Sequence, residues 1–254
     1  MVMQEKRRAG QKTAMTLRDL NATIPSCTRC PRLRAYCREV AQLKKREFQQ
    51  WEYWGRPVPG FGDPGARLFV VGLAPAAHGA NRTGRMFTGD SSGNWLYDAL
   101  YRFGFANQPE SHTRDDRLQL LDCYLGAAAR CAPPENKPTP QELANCRPYL
   151  EHELALLRNV RVVVVLGRIA WESYLKAARA SGSGVGQDAG HVWWNTLTPA
   201  ERPPFGHGRE HRFHDGVTLI SSFHPSRQNT NTGKLTREMW YAIFRRAREM
   251  IDAL

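Results

Sequence analysis

Four short stretches of the chain are apolar almost without interruption, and helix-period patterns separate them. Arg67–Leu73 (RLFVVGL), Leu121–Ala129 (LDCYLGAAA), Val160–Leu166 (VRVVVVL) and Thr218–Phe223 (TLISSF) each read as a strand. Continuous rather than alternating apolarity predicts strands covered on both faces, as in a parallel sheet. Helical patterns occupy Leu33–Trp54, Asn94–Phe103, Pro140–Leu157 and Ile169–Arg179. A last helix carries Trp240, Ile243, Phe244, Ala247, Ile251 and Leu254 on one stripe. The alternation predicts a single α/β domain: a central, mainly parallel four-stranded sheet flanked by helices, with ligands at the carboxyl ends of the strands. Residues 1–20 have few apolar positions at any period and read as a basic flexible tail, leaving 21–254 as the domain. Arg56–Gly65, rich in proline and glycine, reads as a loop, as does the long Gly/Pro/His-rich connection over 181–215.

Composition narrows the class. A chain of 254 residues can bury its own core, and 41% hydrophobic with 24% charged residues excludes wholesale disorder. The longest aliphatic run, Val162–Leu166, is far short of the roughly 20 residues of a membrane span. Lys6, Arg7 and Arg8 are followed by polar residues rather than by the apolar core of a signal peptide, so we expect a cytoplasmic protein; we expect it to be a monomer as well. The net charge is +12, and residues 1–60, with 13 Lys+Arg against 5 Asp+Glu, hold +8 of it. Cations crowded at one end suit a polyanion, since each phosphate contact releases counterions; a solubility tail is the plainer reading.

Four of the six cysteines make a pattern: Cys27-x-x-Cys30, then Cys131 and Cys146. A CxxC pair puts two thiolates on one tight turn, and two more complete a zinc site or an iron–sulfur cluster; the spacing fits either. Such a site would clamp the basic N-terminal segment onto the α/β body. Cys123, in an apolar run, reads as a core residue, and Cys37 is an alternative ligand in place of Cys30. His207, His211 and His214 lie in the long connection without a carboxylate or cysteine to complete a metal set, and read as loop histidines.

Two loops carry the remaining chemistry. The first strand runs into GLAPAAHGANRTGRMFTGDSSG (72–93), rich in glycine and small residues, with one aromatic ring at Phe87. It lacks the spacing of a phosphate loop or a dinucleotide fingerprint, but suits a planar ligand held between backbone amides and a stacked ring. The last strand ends in SFHPSRQNTNTGKLT (222–236), which sets His224 where an α/β sheet places a catalytic donor.

These two loops, with RCAPPENKPTP (130–140) and PPFGHG (203–208), resemble family 5 uracil-DNA glycosylases, the type b enzymes of that superfamily. The resemblance runs from about Cys27 to the C-terminal helix. The sister family 4 carries an acidic residue and an asparagine where this chain has Leu73 and Ala127, which favours family 5 and implies a cleft without the usual water-activating residue. The resemblance implies a [4Fe–4S] cluster on Cys27, Cys30, Cys131 and Cys146, with zinc the alternative. It also implies a monofunctional enzyme that flips uracil, and other deaminated bases such as hypoxanthine and xanthine, out of DNA and hydrolyses the glycosidic bond in base excision repair. His224 would then hydrogen-bond the departing base, Phe87 would stack on it, and Ala74 and Ala127 would border it. Asn81 and Asn136 become candidates for positioning water, and Asn229 for binding the base. Arg227 and Gln228 would fill the vacated stack, with Lys234 and Arg237 on phosphates. The competing readings are a non-catalytic, metal-clamped protein that binds damaged DNA, and a family 4-like uracil-specific enzyme.

Overall fold

The computed structural model describes residues 15–181, 203–213 and 215–253. The first half contains α1 (Leu17–Thr23), α2 (Pro31–Leu43), β1 (Phe61–Gly62), β2 (Leu68–Gly72), α3 (Ala80–Thr83), α4 (Ser91–Arg102) and β3 (Cys123–Ala127). The second contains α5 (Pro140–Leu156), β4 (Val162–Leu166), α6 (Arg168–Ser181), β5 (Arg209–Arg212), β6 (Thr218–Ser222), α7 (Arg227–Asn231) and α8 (Arg237–Asp252).

The strands form one sheet in the order β1-β3-β2-β4-β6-β5. The four central strands are parallel, in register through the row Leu125, Val70, Val164 and Ile220. The sheet is wider than the expected four strands, because β1 and β5 add antiparallel edges. Successive side chains of a strand point to opposite faces, and the central strands divide accordingly. Leu68, Val70, Val162, Val164 and Ile220 pack with α4 and α8, while Phe69, Val71, Val163, Val165 and Leu219 pack with α1, α5 and α6. The α8 stripe is buried as its period predicts at Trp240, Ile243, Phe244, Ala247 and Ile251; Leu254 lies outside the described residues.

Two boundaries are corrected. The tail does not reach residue 20: Thr16 and Asp19 form a reciprocal cap on α1, and Leu17 and Leu20 are buried against the sheet. Residues 1–14 lie outside the described part. The helix expected over Leu33–Trp54 stops at Leu43, where the run Lys44-Lys45-Arg46 offers no apolar face to continue it. The aromatic residues beyond it have a different use, described below. Within the connection expected over 181–215, residues 209–212 pair with β6 as an edge strand; its four residues are polar and largely exposed, so they carry no apolar signal. Arg130, which follows β3, is fully buried and ion-paired with Glu153 of α5, tying the Cys131 segment to the helix that carries Cys146. Removing either partner alone would leave a buried charge, at a cost of about 3–5 kcal/mol.

Candidate active site

A cleft of about 750 Å³ opens at the carboxyl ends of β2, β3 and β6. Phe87, Ala74, Ala127, Asn136, His224, Arg227 and Gln228 all line it. The two loops singled out in the sequence therefore meet across one cavity.

Phe87 is held by glycines. Its φ is +55°, and a Cβ at Gly72 would lie 2.5 Å from the ring's Cζ, so the ring lies directly over the end of β2. A Cβ at Gly93 would fall 1.7 Å from the Phe87 carbonyl oxygen, which lets the start of α4 close up behind the loop.

His224 follows β6, and the backbone on either side of it is braced by three side chains. The Asn229 amide donates to the His224 carbonyl at 2.8 Å, and the Ser92 hydroxyl to the Pro225 carbonyl at 3.0 Å. The Phe223 N–H donates to His207 at 3.3 Å. Burial pulls the His224 imidazole down to about 4. At neutral pH it is therefore an uncharged donor and acceptor.

Asp90 also faces the cleft and was not found from the sequence. It caps α4, accepting the Gly93 N–H at 2.9 Å, and it packs against Gly79 so closely that a Cβ there would meet its carboxylate at 2.2 Å. Burial raises its pKa, against the opposing pull of hydrogen bonds from Gly93 and Ser92 and of the cations Arg82 and Arg227. Leu73 and Ala127 line the cleft with apolar groups, and a desolvated carboxylate, Asp90, borders the same cavity. The signal was Asp90 just before Ser91, an N-cap, which a helix start at Asn94 conceals. His78 lines the cleft as well; its Nδ1 meets the Tyr53 hydroxyl at 3.0 Å, and burial lowers its pKa.

The loop that bears these groups is pinned by Arg82. Its Nε donates to the His78 carbonyl at 2.8 Å and its Nη2 to the Gly89 carbonyl at 3.1 Å. The guanidinium lies 3.8 Å from the ring centroid of Phe48 and 4.0 Å from that of Trp51. The aromatic residues after α2 thus serve as a clamp on the site loop.

Two sequence candidates lie outside the main cleft lining. Asn81 is fully buried outside the cleft lining; its Nδ2 donates to the carbonyls of Cys37 and Ala77, each at 3.3 Å, joining α2 to α3. Asn229 lines the adjoining cavity rather than the main cleft, with its amide engaged on the His224 backbone. Arg237, half exposed, is paired with Asp98 at 3.0 Å and stacked 4.0 Å from the Trp95 ring. Lys234 is exposed beside Phe223, at 5.1 Å from that ring, and Arg227 and Gln228 are exposed at the mouth.

The cysteines gather in pairs. Cys30 hydrogen-bonds Cys146, Cys37 hydrogen-bonds Cys131, and Cys27 meets the Tyr149 hydroxyl. Cys131 and Cys146 also feel each other's charge. Cys37, set aside in the sequence as an alternative to Cys30, is therefore part of the group, while Cys123 is a core residue in β3. Among the described residues the cysteines are free thiols, and no three His, Cys, Asp or Glu side chains converge tightly enough for a single ion.

The fold and cleft belong to one enzyme class: the family model for the uracil DNA glycosylase superfamily matches residues 59–248. A type-5 uracil-DNA glycosylase of Thermus thermophilus is 48% identical over 228 residues, covering 90% of this chain and 95% of the relative. One from Pyrobaculum aerophilum is 45% identical over 224 residues, 88% of each chain. A type-4 uracil-DNA glycosylase of that same organism is 28% identical over 163 residues, 64% of this chain and 66% of the relative. The chain belongs to the uracil-DNA glycosylase superfamily and, within it, to the type-5 family. Among the described residues no helix is long and apolar enough to cross a membrane.

Proposed function

We propose that the protein excises uracil from DNA by hydrolysing the bond between C1′ of the deoxyribose and N1 of a flipped base. The observation that carries this is the shared cavity: the Phe87 ring, the uncharged His224 imidazole and the Asp90 carboxylate all border one cleft. In this reading the base stacks on Phe87, over the floor made by Ala127 and Ala74. His224 donates a hydrogen bond to the base as N1 departs with the bonding electron pair, and Asp90 accepts a proton from the water that attacks C1′. Asn136, exposed on the cleft rim with φ of +58°, is a candidate to orient that water. The products are the free base and an abasic site. Lys45 also lines the cleft, ion-paired with Glu47 at 2.7 Å, and neither of the two loop motifs around Phe87 and His224 places a lysine to form an imine, which supports base release without strand cleavage. Leu73 and Ala127 put no polar discriminating group on their part of the wall, which supports acceptance of hypoxanthine and xanthine as well. Incubation with duplexes carrying each base, followed by alkali, tests both parts. Intact strands with uracil would overturn the first, and cleavage with uracil alone the second.

We also propose that Cys27, Cys30, Cys131 and Cys146 hold a [4Fe–4S] cluster. Soft sulfur donors without carboxylate or imidazole suit zinc or iron–sulfur chemistry. Zinc–sulfur bonds of about 2.3 Å would draw all four sulfurs tightly together. Thiols brought together from the CxxC turn, the Cys131 segment and α5 can serve either centre, and the likeness to family 5 enzymes favours the cluster. When bound, the cluster supplies a covalent clamp between the N-terminal segment and α5. Iron analysis of the purified protein is expected to give about four atoms per chain by that stoichiometry; zinc in its place would overturn the assignment.

A further inference from the structure

The segment PPFGHG carries a histidine that the chemistry above leaves unused. His207 sits in a turn stapled to the end of β6: the Gly208 N–H donates to the Ser221 carbonyl at 2.8 Å, and the Ser221 hydroxyl donates to the Gly206 carbonyl. Its ring packs against that of Phe223, with centroids 5.2 Å apart. Its Nδ1 lies 3.3 Å from the Phe223 N–H and 3.4 Å from the Ser222 hydroxyl. A peptide N–H can only donate, so Nδ1 is the bare nitrogen and the neutral ring carries its proton on Nε2. The ring also hydrogen-bonds the backbone of Met239 in α8. His207 thus spans from α8 to the Ser222–Phe223 peptide, one peptide before the bond that joins Phe223 to His224.

We propose that His207 is a positioning residue for His224: it holds the Phe223 peptide in the orientation that sends the His224 imidazole into the cleft. Ser222, Asn229 and Ser92 hold the carbonyls of Phe223, His224 and Pro225, but none of them restrains the Phe223 N–H. Without His207 the Ser222–Phe223 peptide keeps its carbonyl bond from the Gly167 N–H at 2.8 Å but loses the restraint on its N–H side. A donor displaced by a fraction of an ångström from a developing anion loses most of its effect. The inference rests on the reading of His224 as the donor to the leaving base, and the test separates the two.

Single-turnover excision of uracil from a duplex is measured for wild type, His207→Asn, His207→Gln, His224→Ala and the His207→Gln/His224→Ala double variant, alongside duplex affinity and melting temperature. Asparagine presents its Oδ1 where Nδ1 stood and keeps the bond from Phe223; glutamine reaches only toward the Nε2 position. His207→Asn is expected within about threefold of wild type and His207→Gln at least tenfold slower, with duplex affinity and melting temperature alike in the two variants. In the His224→Ala background the glutamine substitution is expected to change nothing further, because the donor it positions is gone. Equal rates in the two His207 variants overturn the positioning role, and so does further slowing in the double variant. His224→Ala at wild-type rate overturns instead the reading of His224 on which this one rests.

Discussion

Replacing His224 with alanine isolates what an uncharged donor contributes. Burial holds the imidazole down to about 4, so at neutral pH the ring carries no charge for phosphates to attract. Removing it should leave the electrostatic part of DNA binding alone. One well-placed donor to a developing anion is worth about 3–4 kcal/mol, so the single-turnover rate should fall by roughly 10²–10³. The slope of log Kd against log salt should not change, whereas Arg227→Ala, which removes an exposed cation at the cleft mouth, should reduce it by about 0.9. The ratio of wild-type to variant rates should also stay level from about pH 6 to about pH 9, because the ring's ionisation lies below that range. The assay is excision from a labelled duplex at enzyme excess, with affinity measured across a salt series. A rate within about threefold of wild type would refute the donor role. A loss of about 0.9 in the salt slope would show that the imidazole is a phosphate-binding cation instead.

Asp90→Asn separates the carboxylate from its capping duty: asparagine caps a helix as well as aspartate, so chemical denaturation should move by less than about 0.5 kcal/mol. The excision rate should nonetheless fall by about 10²–10⁴, as for loss of a general base, and an active variant would remove Asp90 from the mechanism. Gly72→Ala should destabilise by about 1–3 kcal/mol through collision with the Phe87 ring, and Phe87→Ala in the same chain should recover most of that in a urea melt. Additive losses would mean that the ring is not what occupies the space over Gly72. His78, His207 and His224 all have lowered pKa values from burial, so below about pH 6.5 the unfolded chain takes up protons that the folded chain refuses. Stability should therefore fall as pH drops from about 6.5 toward about 4, and His224→Gln should flatten that fall; a midpoint independent of pH over the window would contradict the burial of these rings.

The parallel strands were legible because helices cover both their faces, which leaves no room for polar alternation. The edges were not. β1 is two residues long within a proline- and glycine-rich run, and β5 is Arg-Glu-His-Arg paired on one side only. In the site, Phe87 and His224 stood out because a ring among glycines and an imidazole at a strand end have few structural uses. Asp90 was hidden because its helix-capping geometry and its place in the cleft are fixed by the same turn. Asn81 and Asn229 are placed by contacts that the chain order does not show. An amide that ties two segments together and one that faces a ligand look alike in a linear chain, and only the partners Cys37, Ala77 and His224 tell them apart.

The guanidinium of Arg82, shielded by Phe48 and Trp51, has a practical outcome for anyone trimming this protein. The family match begins at residue 59, so a boundary chosen by alignment would discard both rings. The shortened chain would lose Tyr36, Lys45, Glu47 and Phe48 from the cleft lining, and it would expose to water the guanidinium that bonds the loop at His78 and Gly89. Conserved-region edges therefore understate the smallest piece able to work, and the working minimum starts upstream of the match.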